Sequence, residues 1–67
     1  MTPIQVAAAH RAIDEREIAK HGPLVAVLKA PSQDAMVRRA AIALRQVEPH
    51  ELVPVLGMWT LLNGGAS

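Results

Sequence analysis

Leu52-Val53-Pro54-Val55-Leu56-Gly57-Met58-Trp59-Thr60-Leu61-Leu62 is the stretch on which the fold of this chain turns, a run with no charged residue. Pro49 can open a helix just upstream, Glu51 lies near its N-terminus, and Asn63-Gly64-Gly65 is a strong stop. At helical spacing Leu52, Val55, Leu56, Trp59 and Leu62 form one stripe, while Val53, Met58 and Leu61 fall outside it. A helix apolar on every side is one surrounded on every side. A chain of 67 residues has little other protein to do the surrounding, and the run falls well short of the roughly 20 residues of a membrane span. The pattern therefore predicts a contact with another protein chain. The stripe is the expected contact, and Trp59 its anchor, because large aromatics dominate interface energetics. The plainer alternative is a core helix in a compact bundle that leaves a few aliphatics exposed, as most proteins do. Pro54 predicts either a kinked helix from Pro49 or a single turn followed by a new helix.

Upstream, Ser32 can cap a helix and Asp34 complements its positive end. The helix is expected over 33–47, with Met36, Ala40, Leu44 and Val47 as its apolar stripe, widened by Val37 and Ala41. Arg38, Arg45 and Ile42 lie on the far side, with Arg39 at its edge. Residues 23–30, Pro-Leu-Val-Ala-Val-Leu-Lys-Ala, do not by themselves decide between a buried short helix and a strand. Val25 and Val27 favour a strand, but the chain offers no second strand to pair with it, so a short helix opened by Pro23 is expected. Thr2-Pro3 starts the first helix, expected over 3–20, and His21-Gly22-Pro23 ends it. Small apolar residues lie on two sides of this helix, interrupted by Arg11, Asp14, Glu15, Arg16 and Glu17. It suits either close packing between neighbours or a solvated helix supported by charge pairs. The whole, residues 1–67, reads as one all-α domain. It is a small helical bundle or an extended helical chain of three or four helices (about 3–20, 23–30, 33–47 and 50–63), completed by oligomerisation or docking.

Composition supports that picture. Seven Leu, seven Val, four Ile, three Met and one Trp are the large apolar residues, with no Phe, Tyr or Cys. The lack of Cys excludes a disulfide scaffold, a Cys-ligated zinc site and a cysteine nucleophile. Half the chain is hydrophobic and 19% is charged, which argues against disorder. A mini-protein with no disulfide, no evident metal and almost no aromatic mass has oligomerisation or docking left as a support. No signal peptide is evident, so the expected location is the cytoplasm, or the interior of a phage particle. The Ala, Gly, Pro and Arg usage suggests GC-rich coding, as in a bacterium, phage or plasmid.

Chemistry has few candidates. His10 with Asp14 and Glu17 with His21 share helix faces at i, i+4, but a di-metal bundle needs ligands from facing helices, and 33–47 offers no carboxylate beyond Asp34. No metal site and no cofactor are expected. The only serines are Ser32, a cap, and Ser67 at the end; no nucleophile elbow or phosphate loop is present. A small-molecule substrate and an enzymatic role are not expected. The expected function is a non-catalytic protein–protein interaction module, a small structural or adaptor subunit of an assembly or homo-oligomer. A second contact is expected at Leu24, Val25, Val27 and Leu28. The alternative is a small dimeric DNA-binding regulator reading bases with Arg38, Arg39 and Arg45. Against it stand the net charge of only +1 and Asp34 at the N-terminus of the helix that would approach the DNA.

Overall fold

The computed structural model describes residues 2–64. They form four helices and no strand: α1 (Pro3–His21), α2 (Pro23–Leu28), α3 (Gln33–Ala43) and α4 (Pro49–Asn63). Each begins where local chemistry dictates. Thr2 caps α1 reciprocally with Gln5: the Thr2 hydroxyl accepts from the Gln5 amide at 3.1 Å, and the Gln5 side chain accepts from the Thr2 amide at 2.9 Å. Gly22, at φ 91°, ends α1 with its amide donating to Ile18 O at 2.8 Å, and Pro23 starts α2 at once. Ser32 Oγ accepts from the Ala35 amide at 3.1 Å to cap α3. At α4, the Glu51 carboxylate accepts from the Glu48 amide at 2.9 Å.

Residues 23–30 are helical and not extended, but α2 stops at Leu28, two residues earlier than the sequence suggests, with Ala30 held before Pro31. The larger departure is at α3, expected to reach Val47 but ending at Ala43. Beyond it the amides of Arg45 and Gln46 reach back only three residues, to Ile42 O at 3.1 Å and Ala43 O at 2.9 Å. Pro49 forces Glu48 into an extended conformation (ψ 148°), which bars the helix from running on into α4. Leu44 keeps a helical backbone, its amide donating to Ala40 O at 3.0 Å, yet its side chain is half exposed, whereas Val47 packs on the core. α4 is one continuous helix through Pro54. The ring is on an exposed position, and the acceptor it deprives, His50 O, lies in the solvent-accessible first turn.

α2 lies at the centre and touches all three other helices, while α1 packs on α2 and α3. One cluster joins Val27, Ala43 and Leu52, with Leu24, Met36, Ala40, Val47, Val55 and Leu56 around it. A second joins Ala30, Ala35 and Trp59, covered by Leu28 and Met36. Half of the buried hydrophobic residues are alanine, so helices approach closely and enclose little volume. The molecule is a slab, 34 × 30 × 18 Å, about two helix diameters thick. Its radius of gyration, 12.0 Å, exceeds the ~10.9 Å usual for this length. The N-terminal half of α1 is solvated: residues 2–13 are all exposed, and Arg11 pairs with Glu15 at 3.0 Å along the helix.

Candidate interaction surface

α4 divides into two apolar faces. Leu52 and Trp59 face inward and are buried; Val55 and Leu56 are half-buried beside them. Trp59 Nε1 donates to Ala30 O at 3.0 Å, satisfying a carbonyl at the end of α2. This corrects the expectation for the contact stripe. Leu52 and Trp59 are taken up by the chain's own core, so neither presents a side chain to a partner in this fold. Trp59 anchors α4 to α2 instead. The second expected contact divides similarly: Val27 is fully buried, Leu24 and Leu28 are half-buried, and Val25 alone is exposed.

The outward face is what remains. Val53 (64% exposed), Met58 (53%), Leu61 (82%) and Leu62 (69%) project from it, together with exposed Pro54 and Gly57. Positions 53, 54, 57, 58 and 61 lie within one side of the helix at 100° per residue, with Leu62 on its flank. The polar side chains near this end bond to their own helix: Thr60 Oγ1 donates to Leu56 O at 2.9 Å and Asn63 Nδ2 to Trp59 O at 3.1 Å. Gly57, at the middle of the face, has no positive φ, and a Cβ built on it meets nothing within 4 Å. Nothing within the chain requires a glycine there, although glycine in a helix interior costs about 1 kcal/mol relative to alanine.

A different arrangement fastens α1. Asp14 is 1% exposed and accepts from Arg38 Nε at 2.8 Å and Arg39 Nε at 2.9 Å. Arg39, 4% exposed, also donates through Nη1 to Ala26 O at 2.9 Å. One carboxylate thus ties α1 to α3 and, through Arg39, to α2. Burial pushes the Asp14 carboxyl up, but the Arg39 and Arg38 hydrogen bonds and charges outweigh it and hold it below the ordinary carboxylate range. Both oxygens are engaged by guanidinium groups, so the group is a fastener held in its ionised form. The sequence offers no local signal for it. Asp14 and Ile18 share a face at i, i+4, but the partners lie 24 and 25 residues away.

This clamp also corrects the placement of the DNA-reading arginines. Arg39 is buried and Arg38 is bonded to Asp14, both for the same reason: a buried carboxylate needs its charge compensated. Arg45 alone of the three is exposed and without an ion-pair partner among the described residues. A cleft of about 250 Å³ between α1 and α3 is lined by Arg11, Asp14, Arg38, Ala41, Ile42 and Arg45. Among the described residues no three His, Cys, Asp or Glu side chains converge as a metal site, and His21 Nε2 lies 3.2 Å from Glu17 on its own helix. Buried side-chain nitrogen and oxygen atoms in this region all have hydrogen-bond partners. No described helix is long and apolar enough to cross a membrane.

Comparison of the chain with protein-family profiles, with curated proteins and with solved structures gives no match.

Proposed function

We propose that this protein is a non-catalytic interaction module, a small subunit or adaptor, whose contact surface is the outer face of α4. The observation that carries this is the exposure of Val53, Met58 and Leu61, with Leu62 on their flank, along the charge-free stretch Leu52–Leu62 of a helix whose other side already holds the core. Monomeric proteins seldom leave a contiguous apolar patch of more than a few hundred Å² to water, and larger ones mark contact sites. Fully burying an aliphatic side chain of this size contributes about 1.5–3 kcal/mol, which gives the face a strong reason to be covered. The sequence argument that α4 is apolar all round supports the same function. On this reading the contact residues are Val53, Met58, Leu61 and Leu62, which are exposed, and not Trp59 and Leu52, which are buried in the chain's own core.

The test is a photo-cross-linking amino acid placed at Leu61 and, as control, at exposed Lys20 on α1, with illumination of cells that produce the chain. A discrete higher-mass adduct from position 61, absent from position 20, is expected. Absence of adduct at 61, or the same adducts at both positions, would overturn the proposal.

A further inference from the structure

We infer that the occupant of this face is a second copy of the chain, whose α4 crosses the first antiparallel at Gly57; the inference rests on the contact surface proposed above. Three observations converge on this partner. The first is Gly57 itself. It lies mid-helix with open space above it and no strained backbone, so the folded chain gains nothing from the missing side chain. A second helix backbone does gain from it, because the separation of packed helices is set by the side chains at their crossing point. The second is the pattern around that glycine. Val53 stands four residues before it and Leu61 four after. A two-fold contact demands that the same patch complement itself. Antiparallel crossing at Gly57 meets this demand by setting Val53 of one protomer against Leu61 of its partner, twice, with the glycines facing at the centre.

The third observation is charge. No residue from Leu52 to Leu62 is charged, so the face buries no ion against an identical copy. Between Leu52 and Leu62 a basic or acidic partner would find nothing to pair with. Antiparallel crossing also sets the positive N-terminal end of each helix beside the negative C-terminal end of the other.

Sedimentation of the purified full chain over a range of micromolar concentrations tests the inference, with Gly57→Leu and Leu61→Glu beside it. The wild type is expected to associate reversibly as a dimer. Gly57→Leu adds apolar surface, so a non-specific greasy contact would grow stronger; a close crossing is wedged apart and weakens by at least ~10-fold. Both variants point into open space or solvent, so, at dilutions where the chain is monomeric, helical circular dichroism and thermal midpoint are expected to stay at or above the wild-type values for Gly57→Leu and near them for Leu61→Glu. A wild type that stays monomeric, or a Gly57→Leu chain that dimerises as tightly as the wild type, overturns the second copy as occupant. If a monomeric wild type still gives a discrete adduct of another mass from position 61, the contact surface stands and only its occupant is wrong. If that adduct is missing as well, both fall.

Discussion

α1 and α4 are the two longest helices, and each extends beyond what a small core can cover. They differ in how the surplus is handled. α1 is fastened by one polar clamp, Asp14 between Arg38 and Arg39; beside it Arg11 pairs with Glu15 along the helix, and the N-terminal turns are alanine-rich with Ile4 and Val6 exposed. α4 is fastened by apolar packing through Leu52 and Trp59, and beyond Glu51 in its first turn its free side carries no charge as far as Leu62. The difference is in density: α1 exposes Ile4, Val6 and Ile13 among alanines and mid-helix charges, whereas α4 exposes Val53, Met58, Leu61 and Leu62 within ten residues. On the proposed reading, a helix apolar on both faces uses one face for its own core and offers the other to a partner, whereas α1 is held by a single polar foothold.

The contrast can be broken at either fastening. The largest effect is expected from Trp59→Ala, which opens a cavity and leaves Ala30 O without its donor. Truncations of this kind destabilise by about 3–5 kcal/mol, comparable with the whole stability of a small domain. Denaturant unfolding is expected to show loss of cooperative folding. Trp59→Phe, which keeps most of the packing and removes only the indole N–H, is expected to lose about 1–3 kcal/mol.

At the other fastening, Asp14→Asn leaves Arg39 buried without its counter-charge, and breaking a buried pair this way costs about 3–5 kcal/mol. Amide exchange is expected to rise first along α1 in this variant. Acid sharpens the comparison further. The Asp14 carboxyl is held below its ordinary value in the folded chain, so the unfolded chain binds the proton first as pH falls. The clamp's contribution is complete above the unfolded value of about 4 and is lost as pH drops through the lower folded value. Acid titration followed by circular dichroism is expected to show this dependence in the wild type and to lack it in Asp14→Asn. The Trp59 contact, which has no titrating group, is expected to add none.

The smallest effect on folding is expected from Leu61→Glu. Leu61 is 82% exposed, and surface substitutions away from special features stay within about 0.5 kcal/mol. Its thermal midpoint, measured where the chain is monomeric, is expected to match the wild type. A large drop would mean that Leu61 contributes to the core of its own chain.

What the sequence makes legible here is what local chemistry decides. Thr2-Pro3, Gly22-Pro23, Ser32 and Pro49 each act within one turn of the backbone, and helices begin or end at all of them. The α3 terminus was less readable, because Met36, Ala40, Leu44 and Val47 continue a helical period past Ala43, where the Arg45 and Gln46 amides turn to three-residue hydrogen bonds. The Asp14 clamp was not readable, since a pairing across 25 residues leaves no periodic trace. Nor was the inward side of α4: where both sides are apolar, hydrophobic period does not say which one meets Trp59's neighbours Ala30 and Ala35.

The chain has no cysteine, so Leu61→Cys and Lys20→Cys each carry a unique thiol, and their reaction rates with a maleimide inside cells producing the chain test the contact surface most directly. A covered outer face predicts that the thiol at 61 reacts many times more slowly than the thiol at 20, and that both react alike once the chain is unfolded. Equal rates in the native state would contradict it.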